Sequence, residues 1–590
     1  MTSLDYAVVG IYFALVTALG LSVSSRVRSP DDYFLGGRGF GKLLQTFAAF
    51  GAGTGSGDPV NAARTVYTGG ASGMWSVMYW LFMTPFYWIT AVWYRRMRHV
   101  TLGDWFVERY ESPRLGAAYA TFGVIYFVVY ASMLLSAIGK VAAPLIGATL
   151  FEIGGLSIPI EYLLVPAIGA VVLVYGLAGG LHAAYLTDLA QGICIILLSV
   201  LLVPFGLMEM VRVFGGPESQ SSLLDGFTLM HEQLDPSDFQ LFGGADSQFT
   251  VAYLTVVVLL NLAGVVIQPH FIATGGGSAK SEYDARVGLV VGNLLKRLCT
   301  IGWVLVGLIA LSLFGDDPLL IDDPDKTWGI ASARLLGPGL TGLMLSCLLA
   351  ALMSSVDAYM ITGSALIVRN LYTTFIDPDA SERRCLLVAK ITGAAIVLGA
   401  VAVSLTTMDV FAQLQLTWVI PVLFAAPFWV GMYWRGATTA GVWATIAFGA
   451  IAFFILPALG QEVSLVGLVG VDLSGWTANS QETVQLAETV VAPFVVMIVA
   501  SLLTPKNSPT TLDRYYTKMR TPVDPDPQTD KAKLEATIAG EQVCDIQKLF
   551  PNTPLEFNRP TRTDAVGFVV LCVTCGLVIG LAKLVFSLGS

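Results

Sequence analysis

Charge is what this sequence has least of. Asp, Glu, Lys and Arg make up only 13% of its 590 residues, against roughly 25% in soluble domains. Hydrophobic residues fill the space at 55%, and the mean hydropathy is +0.69, so a polytopic membrane protein is indicated and a soluble globular chain excluded. The net charge of −9 offers no basic surface for a nucleic acid. The four histidines show no metal-ligand spacing and there is no HExxH. Cys194, Cys299, Cys347 and Cys385 stand singly in or beside apolar runs, and Cys572 and Cys575 share the last apolar run with no second pair. They read as packing residues rather than a zinc or redox centre. No nucleophile–base pair and no nucleotide-binding loop stands out, so the reading is not an enzyme. No segment signals an obligate protein partner.

The apolar runs are long enough to span a bilayer about fourteen times. The first, Asp5–Val23, has no basic residue before it, while Arg26 and Arg28 follow. It reads as a retained helix with its N-terminus outside rather than a cleaved signal. Loops carrying Arg26, Arg28 and Arg38, then Arg95, Arg96 and Arg98, then Arg369, Arg383 and Arg384, alternate with acidic ones such as Gly215–Gln248 and Gly315–Lys326. That alternation follows the positive-inside rule and puts both termini outside a cell (plasma or inner) membrane. Pro505–Arg562 is polar and proline-bearing, and reads as a cytoplasmic linker with a short amphipathic helix near Asp545–Leu549.

One apolar stretch, Leu345–Leu366, carries polar groups in its middle. Ala351, Ser354 and Ser355 share a helix face, and Asp357 lies one turn on from Ser354. Hydroxyls with a carboxylate suit a small hard cation and no soft metal. Two other spans are interrupted. Gly51-Ala-Gly-Thr-Gly-Ser-Gly-Asp-Pro59 alternates glycine with small residues and ends in a proline, which a continuous helix tolerates poorly. Asn261 to His270 ends in Gln268-Pro269-His270. Unwound backbone at membrane depth lines cavities, and its carbonyls bind cations. Asp188, in Tyr185-Leu-Thr-Asp-Leu-Ala-Gln191, falls at a depth similar to Asp357. A shared cation would keep both charged; without one, repulsion favours a proton on one of them. His270 reads either as a site residue or as a neutral interhelical hydrogen bond.

With these residues in place, the chain resembles the sodium:solute symporter family, which includes sodium–glucose, sodium–proline and sialic acid symporters. The resemblance runs from Tyr33 to Trp434. It is carried by Asp32-Tyr-Phe-Leu-Gly-Gly-Arg38, by Gly179-Gly-Leu with Thr187-Asp188 and Gln191, and by Ala351-x-x-Ser354-Ser355-x-Asp357. It implies an all-α LeuT-type five-plus-five inverted repeat. It places the family's common sodium site on carbonyls of Gly51, Thr54 and Ala351 and hydroxyls of Ser354 and Ser355. A second sodium or a proton site would fall on Asp188, Ser354 and Asp357, where Asp357 and Ala358 stand in place of serines. For the solute, Asn261 and Lys296 match polar positions of sugar carriers. The gate positions after Asn261 are Gly264 and Val265 instead of aromatics, and Gln268-Pro269-His270 is similar to the proline-symporter stretch. Asp58, Asn261, Gln268, His270, Lys296, Gln413 and Gln415 are the candidate solute residues. Arg64 has two readings, a bidentate carboxylate anchor or an external-mouth residue paired with an acidic loop.

The expectation is therefore a sodium-coupled secondary transporter importing a small polar organic solute by alternating access, an amino acid or carboxylate rather than a sugar. Na+ is the coupling ion and the lipid bilayer the surrounding partner. The alternatives are a proton-coupled symporter of the same fold and a transporter-like solute sensor. Six segments are expected. Residues 1–40 hold an additional helix and cytoplasmic loop; 41–213 and 249–435 are the inverted repeats. Residues 436–504 hold two further helices, 505–565 a cytoplasmic linker and 566–590 a last helix.

Overall fold

The computed structural model describes residues 1–24, 34–147, 150–153, 156–176, 180–216, 222–244, 247–461, 464–468, 470–544 and 546–590. Arg26, Arg28, Asp32, Tyr33, Gly179 and Asp545, used above, lie outside the described residues.

The first half opens with α1 (Ser3–Ser24). The interrupted span is two helices, α2 (Lys42–Ala52) and α3 (Gly57–Gly69), joined by non-helical backbone. Pro59 falls in the first turn of α3, where its missing N–H breaks no helical bond. After short turns come α4 (Thr84–Met97) and α5 (Leu102–Tyr110). Thr101 and Asp104 start α5 with a reciprocal capping box. Then follow α6 (Pro113–Ile146), an antiparallel hairpin β1 (Leu150–Ile153) and β2 (Leu156–Pro159) pairing Phe151 with Ile158, α7 (Glu161–Gly176) and α8 (Leu181–Phe214).

The second half begins with α9 (Val251–Val265), which stops before Pro269 and resumes only as the turn Phe271–Thr274. α10 (Glu282–Phe314), α11 (Leu340–Ile367, continuing π-helical to Ile376), α12 (Glu382–Thr406), α13 (Val410–Val419) and α14 (Val422–Tyr433) complete it. Beyond them lie α15 (Thr439–Ala450), α16 (Ala478–Leu503), α17 (Pro509–Arg520), α18 (Pro527–Ile538) and α19 (Arg562–Phe586). Among the described residues ten helices are long and apolar enough to cross a membrane by themselves. Other apolar stretches of the sequence form shorter pieces instead, among them α2, α3, α7 and α9.

α11 forms the axis of the molecule. Every residue of its most apolar window is buried, whereas only 22% of the α19 window is. It packs on α1, α2, α6, α8 and α12. Its first turn has only Gly339 as a cap, and the missing acceptor comes from Asp5 of α1, whose Oδ1 accepts from the N–H groups of Gly339 (2.7 Å) and Gly342 (2.9 Å). α10 packs against α2, α3, α4 and α8.

The segment after α16 is folded onto the bundle. Lys518 pairs with Glu108 of α5, Arg98 with Asp530 (2.7 Å), Arg435 with Asp513 (2.6 Å) and Glu556, and Arg286 of α10 with Asp564. Burial works against the Glu108 carboxylate, but His99 and Lys518 outweigh it and hold the group down at about 2. The amphipathic helix expected near Leu549 is not formed there. Leu549 N–H donates to Phe557 O (2.8 Å) across a turn at Pro551–Pro554. Asn552 takes a left-handed conformation (φ +64°) in that turn, which ends any helix and reverses the chain.

Candidate functional site

The break between α2 and α3 is the centre of the site, because its backbone reaches two clusters of opposite chemistry. At its start, Gly51 approaches α11 so closely that a Cβ would overlap Ser354 Oγ and lie 3.3 Å from Asp188 Oδ1. Only glycine admits that contact. Ser355 Oγ donates to Gly51 O (3.2 Å), and Ser354 Oγ donates to Asp188 Oδ1 (2.5 Å). Three separate elements, α2, α8 and α11, thus converge through oxygen atoms. Thr54 is fully buried and its hydroxyl has no hydrogen-bond partner, and Asp357 Oδ1 is likewise buried without one. Asp357 faces the end of α7, where a Cβ on Gly176 would lie 2.9 Å from Oδ1. A set of carbonyls, hydroxyls and carboxylates with orphaned oxygens suits a small hard cation.

Further along the break the chemistry reverses. Asp58, in the first turn of α3, accepts from Gly55 N–H with Oδ2 (2.8 Å) and pairs through Oδ1 with Lys296 Nζ (2.8 Å). Lys296 also donates to Gly53 O. Lys296 lines a cavity of about 40 Å³ together with Gln268 and His270 of the second broken span. That volume holds a few waters. Its other walls include Trp80, Tyr87, Tyr130 and Arg297.

The expected solute residues therefore separate. Asp58, Gln268, His270 and Lys296 meet at the cavity or its wall. Asn261 is not in its lining; it accepts from Tyr79 Oη (3.3 Å) and donates to Val257 O (2.9 Å). Arg64, Gln413 and Gln415 do not reach it. Arg64 pairs with Asp325 (2.9 Å) and lies over the Phe411 ring at 4.9 Å. Gln413 donates to Thr407 O and Gln415 to Glu482 Oε1 (2.9 Å), which takes it toward α16.

Arg297 is the residue the sequence reading passed over. It follows Lys296 directly, is 1% exposed, and donates from Nη1 to Val77 O. Its Nε is buried without a hydrogen-bond partner, and no carboxylate lies within ion-pair distance of it among the described residues. Two adjacent cations inside an otherwise apolar helix were the available signal.

The molecule has recognisable relatives. A sequence model described as the sodium:solute symporter family matches residues 33–449. The osmoregulated proline transporter OpuE of Bacillus subtilis is 26% identical, over 76% of this chain and 87% of that protein. The sodium/pantothenate symporter of Escherichia coli is 24% identical, over 75% of this chain and 89% of that one. Among solved structures, a substrate-bound, outward-open Na+-coupled sialic acid symporter superposes with a TM-score of 0.67 at 16% identity. That match covers 86% of this chain and 99% of the symporter, and it shows a shared fold.

Proposed function

The chain belongs to the sodium:solute symporter family, and from that premise we propose that it imports a small polar organic solute, an amino acid or carboxylate rather than a sugar, by sodium-driven alternating access. Carbonyls of Gly51, Thr54 and Ala351 and hydroxyls of Ser354 and Ser355 hold the sodium. The repeats 41–213 and 249–435 move against each other around it, with both chain termini outside the cell membrane. The observation that carries this reading is the junction of the broken helix to α11 and α8 through Ser355–Gly51 and Ser354–Asp188. A cation arriving there would take over these oxygens and fix the broken helix to α11. One charge moving inward down about 100 mV releases about 2.3 kcal/mol, and the sodium gradient adds to it. Against a sugar stands Gly264, which takes an aromatic's place and packs on Pro421. The relatives are named for proline and for pantothenate, and both are small, polar and carboxylate-bearing.

Asp188 and Asp357 supply a second reading at one point only. The orphaned Asp357 oxygen gives a proton or a second sodium a place beside Ser354.

Thermal unfolding of the purified protein in sodium against potassium, at equal ionic strength, tests the proposal. Wild type is expected to be stabilised specifically by sodium, through mass action, and Ser355→Ala to lose that gain. Removing one hydroxyl oxygen from the ion's coordination shell is expected to weaken sodium binding by roughly tenfold or more, on the scale of a polar contact to a charged group. Equal behaviour in the two salts would refute it. A solute response that ignores sodium, varies with pH and vanishes in Asp357→Asn would transfer the coupling to protons.

A further inference from the structure

The cavity beside the broken helix is not charge-balanced. Lys296 and Arg297 both line it, and only Lys296 has an acidic partner, Asp58. Both Asp58 oxygens are engaged, one by Lys296 and one by Gly55 N–H. That pair is neutral as a unit and offers an incoming ammonium group no net negative charge. Arg297 is different. A guanidinium with 1% exposure and one carbonyl acceptor carries its full charge in a low-dielectric interior, and such a group is heavily penalised unless an anion completes it. Its Nε is unpartnered, and so is Nδ1 of His270, another residue of the same wall. Two unsatisfied polar atoms and one unpaired positive charge therefore meet at one small cavity. The remaining walls, Trp80, Tyr87 and Tyr130, present aromatic surface to whatever the anion is attached to.

We propose that Arg297 holds the carboxylate of the transported solute, and that the solutes accepted are carboxylate anions lacking an ammonium group. This rests on the sodium-driven uptake proposed above and narrows it. The planar guanidinium fork matches a carboxylate's two oxygens, as an ammonium does not. A free amino acid would bring a positive charge to a site that already has one too many. Arg297 is thus the specificity-determining residue, and Lys296 with Asp58 keeps the broken helix seated next to it.

The test uses full-length protein, by thermal unfolding in detergent and by uptake into proteoliposomes with an inward sodium gradient. The probes are pantothenate, pyruvate and benzoate as carboxylates, panthenol as the uncharged counterpart of pantothenate, and proline, alanine and glucose. At least one carboxylate is expected to bind in a sodium-enhanced manner, with panthenol, proline, alanine and glucose roughly tenfold or more weaker. Arg297→Lys keeps a cation but not the fork. It is expected to retain stabilisation by sodium alone, which reports an intact fold, and to lose carboxylate binding by roughly tenfold or more. Sodium-enhanced binding of proline, alanine or glucose to wild type would overturn the anion assignment and leave sodium-driven uptake standing. So would carboxylate binding unchanged in Arg297→Lys, or sodium stabilisation with no response to any carboxylate. If Arg297→Lys does not fold, the comparison of pantothenate with panthenol in wild type decides alone. Indifference to sodium with every probe would overturn the uptake reading itself.

Discussion

The segment Gly51–Asp58 meets oxygen at one end and nitrogen at the other. Around Gly51 are hydroxyls and carboxylates from α8 and α11; around Gly53 and Asp58 are the lysine and arginine of α10. The first end gathers negative charge and lone pairs with no cation among its protein groups. The second gathers positive charge with too few carboxylates. A few residues of unwound backbone touch both, so in the function proposed above they are the shared element through which one ligand would bias the other's site.

Three substitutions break or sharpen this contrast. The largest effect belongs to Asp58→Asn. It leaves Lys296 buried without its counter-charge and doubles the unpaired positive charge at the nitrogen end, at a cost of about 3–5 kcal/mol. A large fall in the unfolding midpoint is expected, and a variant as stable as wild type would show that the pair is solvated. Gly51→Ala acts at the oxygen end. Its Cβ would overlap Ser354 Oγ, for a cost of about 1–3 kcal/mol from overpacking and loss of sodium-specific stabilisation. Gly69→Ala, where a Cβ meets nothing within 4 Å, is the control and should stay within about 0.5 kcal/mol of wild type.

Gly69→Ala aside, a smaller effect than at either end is expected at the Arg64–Asp325 pair, away from both. Burial raises the Asp325 carboxyl to about 6 from 3.8, against the pull of Arg64. The folded protein then binds this proton more tightly than the unfolded chain does. Above about pH 6 the ionised group weighs against folding, and the penalty is relieved as pH falls toward the unfolded value. Between about pH 7 and pH 5 wild type should gain about 1 kcal/mol from this group, visible as a rise in unfolding midpoint that Asp325→Asn removes.

Much of the oxygen end was legible in the sequence because glycine and proline punctuate helices for local steric reasons. Four alternating glycines and Pro59 located the break, and the helix stops and restarts within that stretch. The nitrogen end was half legible. Lys296 entered through its match to a family position, while Arg297 did not, although successive helix residues point about 100° apart and nothing in the spacing favours one over the other. Its exposure to the cavity depends on how α10 is rotated against α4, which is tertiary information. Gln413 and Gln415 are candidate solute residues in the sequence, but Thr407 O and Glu482, remote from any motif, take their hydrogen bonds. The segment 505–562 looked like a linker because its composition is polar. Four of its charged groups, Asp513, Lys518, Asp530 and Glu556, pair with partners on the bundle, and no property of the segment read in isolation could show that.

Those pairs have a mechanical consequence. They tie α5 and the end of α4, from the first half, to the start of α10 and the end of α14, from the second. α10 is a rod of 33 residues, about 50 Å long. The tie grips it near Arg286, while at its far end Phe314 O accepts from Tyr67 Oη (3.1 Å). A rod clamped near one end turns about the clamp. Any rotation of α10 about that clamp therefore has its longest lever arm where Tyr67 meets Phe314, so a given rotation displaces that end most.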